Sequence, residues 1–366
     1  MSIIIFIVIL LILVLVHEFG HFFSAKKFGI KVEEFGFGFP PKLFGIKKGE
    51  TEYTFNLLPL GGFVKIFGEN PDDENTNGPE ASRSFVNKPK WQQAIVLLAG
   101  VFANFLLAWL LFSFGFMSGL PTSVGAEISG YELQDVSVVI ISVAPESPAF
   151  NAGLQVGDKI VSLKNQNDAT SDISLEIIKS YVINSEGQEL EIGYVRGRAD
   201  STTILIKPTY PEEGGEPMIG ISMDKVGIAK LPILTALKEG MFLTLSITKS
   251  TAIGLYRLIL DSIKGQGSME SITGPVGLVG IVGDAYQFGF VYLLSFTALI
   301  SINLAIINLI PFPALDGGRL LFLLIEKIKG SRINQKFFNL ANMVGFLILI
   351  LLMIIVTYHD IVRLIM

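Results

Sequence analysis

The sequence "ILLILVLVHEFGHFF", residues 9–23, sets three titratable side chains inside an almost unbroken apolar run. These are His17, Glu18 and His21, and the whole chain has only three histidines. Such groups are costly in apolar surroundings and usually serve a function inside a membrane segment. On a helix, His17 and His21 share a face where they can bind one zinc ion, and Glu18 can accept a proton from an attacking water. The stretch therefore predicts a membrane helix with a His-Glu-x-x-His metal site.

Four long apolar segments, each of about 20 residues or more, predict four membrane-spanning helices. They cover about residues 2–24, 91–117, 288–310 and 341–365. With 50% hydrophobic residues, the composition is typical of a polytopic membrane protein. The first segment has no Lys or Arg before Lys26 and no small-x-small cleavage site, so we interpret it as a retained helix and not as a signal peptide. A weaker, amphipathic segment at about 233–260 is expected at the membrane surface or leading into the third span.

The placement of lysine and arginine orients these helices. Residues 25–90 and 319–336 carry basic clusters beside the apolar segments, such as Lys26 and Lys27 after the first span. By the positive-inside rule both loops face the cytoplasm, and both termini and residues 120–232 lie on the outer side. The net charge of −5 gives no footprint for nucleic acid, and a chain without cysteine has neither disulfides nor thiolate ligands.

The two segments between the first three spans differ in character. Residues 120–232 alternate strand-like runs with one helix candidate, and "PESPAFNAGLQVGDKIVSLKN", residues 145–165, looks like a PDZ domain of the kind attached to bacterial proteases. Residues 25–90 are rich in Gly, Phe and β-formers without a helical period. Because non-helical apolar backbone beside a membrane has to be buried or line a cavity, we expect β-hairpins near the metal site. Residues 70–84, "NPDDENTNGPEASRS", are predicted to be a plain mobile loop.

A catalytic zinc site needs a third protein ligand, and the best candidate is Asp316 in "NLIPFPALDGG", residues 308–318. Pro311 and Pro313 would break the helix, and the two glycines after Asp316 would let the backbone approach closely. Taken alone, the segment could be a helix end with a capping aspartate. Beside a two-histidine site that lacks a ligand, the metal-binding interpretation is preferred. A second open question concerns Gly100 and Asn104 in "AGVFAN": the pair could serve helix packing, or Asn104 could support the metal site.

Taken together, these motifs resemble the site-2 protease family of intramembrane zinc metalloproteases, and most closely its bacterial regulator-of-sigma-E type. The resemblance rests on "HEFGH" in a first span, "NLIPFPALDGG" in a later span and a PDZ stretch between them. It extends over nearly the whole chain, since "FGFGFPPKLFG", "LPLGGFVKIFGE", "AGVFANF" and "GPVG" are also similar to family stretches. The best-known enterobacterial member has two tandem PDZ domains, and this chain has one PDZ stretch.

The resemblance implies a role for each candidate residue. It makes His17, His21 and Asp316 the ligands of one zinc ion per chain, with Glu18 as the general base. Asn308 would contact the substrate backbone near the metal. Gly61 and Gly62 lie in "LPLGG", the region that would form a membrane-entering hairpin and hold the substrate as an extended strand.

The expected fold is a polytopic α-helical membrane protein of about four transmembrane helices, with membrane-associated β-hairpins and an inserted extracytoplasmic α+β PDZ domain. The expected boundaries are 1–120, 121–232 and 233–366. The expected function is an intramembrane zinc endopeptidase of the bacterial inner membrane, surrounded by lipid, that cleaves single-span proteins such as anti-sigma factors or remnant signal peptides in regulated intramembrane proteolysis. The alternative is a membrane-bound PDZ adaptor that has lost catalysis, although neither the glutamate nor the third ligand is missing from the sequence.

Overall fold

The computed structural model describes residues 1–70, 73–125, 131–197, 199–210, 215–265 and 273–365. Within these ranges, long helices alternate with β-structure. The helices are α1 Ser2–Lys27, α2 Asp73–Asn77, α3 Lys90–Ser118, α4 Pro148–Asn151, α5 Leu175–Asn184, α6 Ile233–Ile263, α7 Pro275–Phe288, α8 Phe290–Leu309, α9 Asp316–Lys329 and α10 Gln335–Ile365. The strands are β1 Val32–Lys48, β2 Thr51–Ile66, β3 Leu120–Ser123, β4 Gln134–Val143, β5 Lys159–Lys164, β6 Ala169–Thr170, β7 Leu190–Val195, β8 Thr202–Ile206 and β9 Ile221–Ala229.

In the described part of the chain, four helices are long and apolar enough to cross a membrane, as the sequence predicts. They are α1, α3, α8 and α10, and their ends differ from the predicted ones by a few residues. The amphipathic segment at 233–260 forms the 31-residue helix α6. The chain divides into two compact units. The first comprises Met1–Phe112, Gly240–Gly283 and Ser295–Met366, and the second comprises Ser113–Glu239 and Asp284–Leu294.

The predicted hairpin is present in the first unit as β1 and β2, and both strands fold back on themselves. Phe37 is paired with Gly62 on one side and with Phe55 on the other, while Ile46 pairs with Tyr53. The two strands therefore form a small sheet in which the segment 62–66 lies at one edge and pairs with residues 32–37.

An ion pair ties the turn of this hairpin to the end of α1. The Lys26 Nζ donates a hydrogen bond to Glu50 Oε1 at 2.6 Å, and Arg83 also pairs with Glu50. The hydrogen bond from Lys26 and the nearby Arg83 guanidinium hold the pKa of the Glu50 carboxyl below its usual value of 4.5, against the smaller opposing effect of burial.

A buried cluster joins the hairpin to the helices around it. It includes Ala25 of α1, Val32 of β1, Ile66 of β2, Val96 of α3 and Leu323 of α9. Because interiors of this kind are close-packed, the cluster fixes the ends of these elements relative to each other. It lies next to the predicted metal site, since Val96 and Ile66 also line a cavity bordered by Glu18, His21 and Asp316.

The prediction of a plain loop at 70–84 is wrong for its described part. The short helix α2 and the 3₁₀ turn Ala81–Arg83 lie in this region, and a second 3₁₀ turn, Phe85–Asn87, follows it. Side-chain amides hydrogen-bond to the backbone of this segment: Asn75 Nδ2 donates to the Asn70 carbonyl at 2.9 Å, and Asn87 Nδ2 donates to the Thr76 carbonyl at 2.9 Å. Pro71 and Asp72 lie outside the described residues.

The second unit is built on a seven-stranded sheet with the order β3-β9-β4-β5-β7-β8, and β6 pairs with β5. Helix α5 begins after Ser174, whose hydroxyl accepts from the Ile177 N–H, and buries Ile178 in the core of the unit. The short α4 follows Ser147 in the same way.

One buried charge pair braces the loop before β5. Asp158 is fully buried and accepts two hydrogen bonds from Arg196 at the end of β7, at 2.7 and 2.8 Å. Arg196 also donates to the Gly153 carbonyl at 2.7 Å. Such a bidentate pair carries the pKa of Arg196 above its usual value, with the hydrogen bond to Asp158 as the main cause.

Candidate metal centre

Three potential ligand atoms converge where α1 passes the start of α9. His17 Nε2 lies 2.9 Å from Asp316 Oδ2, and His21 Nε2 lies 3.2 Å from the same oxygen. The two Nε2 atoms are 3.2 Å apart, because residues four positions apart stand one above the other on a helix. The three side chains are the ones that the sequence singles out as ligands, and together they form a group that could hold a metal ion.

Each histidine ring is oriented through its second nitrogen. His21 Nδ1 lies 2.8 Å from the Val96 carbonyl, and since a carbonyl only accepts, Nδ1 carries the proton and Nε2 is free to bind a metal. His17 Nδ1 lies 3.3 Å from the side-chain amide of Asn104. Asn308 Nδ2 lies 3.5 Å from His17 Nε2, so the amide expected to contact the substrate backbone is at the site.

Two glycines allow α1 and α3 to approach closely enough for these contacts. A Cβ on Gly20 would lie 2.3 Å from the Ala99 carbonyl oxygen, and a Cβ on Gly100 would lie 2.4 Å from His21 Nε2. Real Cβ atoms do not come so near, so both positions require glycine if the helices keep this separation. Gly100 thus allows α3 to pack closely against the two histidines of α1, as the packing interpretation of this position requires.

The segment before α9 positions Asp316 beside the histidines. Ala314 adopts a φ of 75°, and its N–H donates to Asn342 Oδ1 at 3.1 Å. Gly317 and Gly318 then pack against the backbone of residues 309–313, where a Cβ would lie less than 2.5 Å from carbonyl oxygens. Burial by itself raises the pKa of the Asp316 carboxyl, but the contacts to His17 and His21 hold it well below its usual range. An ionised carboxylate is the form in which aspartate binds a metal.

Glu18 faces the same site from the adjacent position on α1. Its Oε2 accepts a hydrogen bond from the Val64 N–H of β2 at 3.1 Å. A cavity of about 240 Å³ lies here, and Glu18, His21 and Asp316 line it together with Phe63 and Val64. The cavity has room for several water molecules. The Glu18 carboxylate, two of the candidate ligands (His21 and Asp316) and the strand residues Phe63 and Val64 therefore border one small cavity.

Gly61 and Gly62 are buried beside this cavity rather than in its lining. A Cβ on Gly62 would lie 2.7 Å from the Gly36 carbonyl oxygen and 2.9 Å from the Leu15 side chain. The absence of a side chain lets β2 press against α1 one turn before the histidines. The strand residues that line the cavity are Phe63, Val64 and Ile66.

An ion pair that the sequence analysis missed stands at one wall of the cavity. Arg319, one turn after Asp316, pairs with Glu69, which follows β2. Both side chains also line a second cavity of about 500 Å³, whose other polar residues include Lys90 and Arg332. The pair therefore borders both cavities. The spacing of Arg319 from Asp316 was the only sequence signal, and the Val96 carbonyl that orients His21 gives none.

The donor set fits zinc. Two imidazole nitrogens and one carboxylate oxygen lie within 4.8 Å of one another, and this combination is typical of catalytic zinc sites that keep a further position open. The hydrogen bond from His21 to Val96 has the form found behind metal-bound histidines. The residues present are therefore those that a zinc ion would need.

Comparison with known proteins agrees with this chemistry. The model of Peptidase family M50 matches residues 5–352. A protein of Clostridium perfringens named as a zinc metalloprotease is 36% identical, over 96% of this chain and 95% of its own length. The zinc metalloproteases RasP of Geobacillus kaustophilus and Oceanobacillus iheyensis are each 30% identical, over 98% and 99% of this chain and 97% and 99% of their own lengths.

Proposed function

The chain belongs to peptidase family M50, the site-2 protease family, and is a zinc metalloprotease; from this premise we propose that it cleaves single-span membrane proteins or remnant signal peptides inside the bilayer, in regulated intramembrane proteolysis. We further propose that His17, His21 and Asp316 hold one zinc ion, with Glu18 as the general base. The observation that carries the proposal is the meeting of His17 and Asp316, 299 positions apart, with Glu18 lining the same cavity as Asp316.

Each residue then has a defined task. A zinc ion held by His17, His21 and Asp316 would supply a Lewis acid that polarises the scissile carbonyl and makes water more acidic. Glu18 takes a proton from the attacking water and passes it to the leaving amine, which is the work of a general base that later acts as an acid. Asn308, placed beside His17, is suited to donate a hydrogen bond to a substrate carbonyl.

The strand beside the cavity supports a way to present the substrate. A helical substrate hides its carbonyls in hydrogen bonds to residues four positions away, so it has to unwind before hydrolysis. The segment 62–66 lies beside the cavity and, through Val64, has a backbone N–H that points to Glu18. An extended substrate paired with this segment would exchange its helical hydrogen bonds for strand pairing, with Gly61 and Gly62 keeping the segment close to α1.

A test of the chemistry is Glu18→Gln in the purified full-length protein. We expect cleavage of a model single-span substrate to fall by about 100-fold or more, because the base is lost. Zinc content should stay at the wild-type level, because Glu18 is not a proposed ligand. Glu33→Gln is the matched control, since it removes only a partly exposed ion pair with Lys65. Substantial turnover by Glu18→Gln would refute the mechanism.

The proposed membrane placement follows the charges. The four apolar helices would place the basic ends near Lys27 and Lys329 in the cytoplasm, and residues 121–232, as a PDZ domain, outside the cytoplasmic membrane together with both termini. Because the chain has no cysteine, single-cysteine variants have a clean background. In intact cells, an impermeant thiol reagent should label Lys179→Cys, an exposed position of the second unit, and spare Lys27→Cys and Lys329→Cys. Labelling at Lys27 or Lys329 without lysis would contradict this orientation.

A further inference from the structure

Asn104 lies beside His17, and the two ends of its side-chain amide have different surroundings. The residue is fully buried on α3, and its backbone carbonyl accepts a hydrogen bond from the Ser301 hydroxyl of α8 at 2.8 Å. Its side-chain Nδ2 lies 3.3 Å from His17 Nδ1, whereas its Oδ1 is buried without a hydrogen-bond partner among the described residues. A buried polar atom without a partner is costly and calls for a physical reason.

The tautomer that His17 needs as a metal ligand supplies that reason. His17 Nε2 faces Asp316 and His21, and it can bind a metal only through its lone pair. The proton of the neutral ring then sits on Nδ1, where it needs an acceptor. For His21 the acceptor of the Nδ1 proton is the Val96 carbonyl, but the group next to His17 Nδ1 is the Asn104 amide. With Nδ2 turned toward the ring, two N–H groups would face each other.

We propose that Asn104 is a positioning residue that accepts the His17 Nδ1–H through its side-chain oxygen and thereby holds Nε2 ready for the metal. The two ends of a carboxamide have nearly the same shape, so half a turn about the Cβ–Cγ bond exchanges them within the same space. The oxygen that has no partner then lies about where Nδ2 does, next to the ring N–H. The inference rests on the proposed role of His17 as a ligand.

The competing explanation is helix packing, in which Asn104 fills space between α1, α3 and α8. The two explanations make opposite demands on the side chain. Packing asks for size and tolerates the loss of polarity, whereas the proposed role asks for an acceptor and tolerates the loss of the amide donor. Leucine keeps about the same volume without an acceptor, and aspartate keeps the shape with two acceptors.

The test measures zinc affinity of metal-free, full-length protein in detergent by competition with a chelator. For Asn104→Leu we expect an affinity about 10- to 100-fold weaker than wild type, the usual effect of losing the partner of a metal-binding histidine. Asn104→Asp should equal or exceed the wild type, because a carboxylate is the stronger acceptor. Ser301→Ala should change affinity less than twofold, since it touches only the backbone carbonyl of Asn104.

The outcomes separate the two levels of the argument. Wild-type affinity in Asn104→Leu would overturn the inference and favour packing, and so would an equal loss in Asn104→Leu and Asn104→Asp. Should Asn104→Leu fail to fold, the aspartate variant still decides, because a merely structural asparagine would not accept a buried charge. A wild-type protein that binds no zinc, or a His17→Ala variant that binds it normally, would instead refute the proposed ligand set and the inference with it.

Discussion

Substitution of Gly100 by alanine tests the proposed metal site with a single methyl group. The new Cβ would lie 2.4 Å from His21 Nε2 and 2.9 Å from His17 Cε1. Nonbonded carbon contacts are comfortable at about 3.5–4.0 Å, so the His21 ring or the helix has to move by about 1 Å. Metal–ligand distances tolerate only about 0.2 Å, and the required movement exceeds that tolerance several times.

The expected loss follows from this displacement. A misplacement of about 1 Å at a catalytic group can cost about 100-fold in rate, so we expect kcat/KM of Gly100→Ala to fall by about that factor. Zinc affinity should fall as well, because the methyl group collides with the nitrogen that we propose as a ligand. Overpacking of a close helix contact should also lower the free energy of unfolding by about 1–3 kcal/mol.

The assay compares zinc affinity, cleavage of a model single-span substrate and thermal unfolding in the same preparation. Gly254→Ala is the matched control, because it lies in α6 and a Cβ there would meet no atom within 4 Å. In that position alanine favours the helix and should leave zinc binding unchanged. Wild-type zinc affinity and activity in Gly100→Ala would refute the geometry from which the ligand set was inferred.

Two further predictions concern charges away from the metal. Arg196→Ala leaves the buried Asp158 carboxylate without its partner and should lower the stability of the second unit by about 3–5 kcal/mol, measured as protease resistance of the full chain, whereas Lys164→Ala removes only an exposed pair and should have little effect. For Glu50, whose pKa is lowered by Lys26 in the folded protein, the stabilising effect is fully present above the usual pKa of 4.5, declines below it, and is lost as the pH falls through the lowered pKa of the folded protein. The difference in Tm between wild type and Glu50→Gln should therefore shrink from pH 7 to pH 4, and a constant difference would contradict the ion-pair explanation.

Periodicity explains why part of the site could be predicted. An α-helix repeats every 3.6 residues, so His17 and His21 had to share a face, and the structure has their Nε2 atoms 3.2 Å apart. Asp316 could be proposed only from chemistry, since a two-histidine site lacks a ligand and the sequence has no other histidine nearby. The apolar segments were predictable for a similar reason, because their length and composition carry the signal.

Other features have no side-chain signature. His21 is oriented by the backbone carbonyl of Val96, and any residue at that position would offer the same group. The folding back of β1 and β2 depends on which of several antiparallel registers packs best against α1, a choice made by tertiary contacts. Gly100 illustrates a third limit, since a small residue four positions before Asn104 is typical of helix packing whether or not a metal lies behind it.

The distance along the chain between His17 and Asp316 bears on how such an enzyme is made. Because the two residues are 299 positions apart, a ribosome has to complete most of the protein before both exist. On the proposed ligand set, a nascent or truncated chain carries two histidines and the general base but no third ligand. An incomplete chain of this kind could not cleave the membrane proteins that are inserted beside it. On this ligand set, proteolytic activity begins only after the segment with Asp316 has been synthesised and has packed against α1.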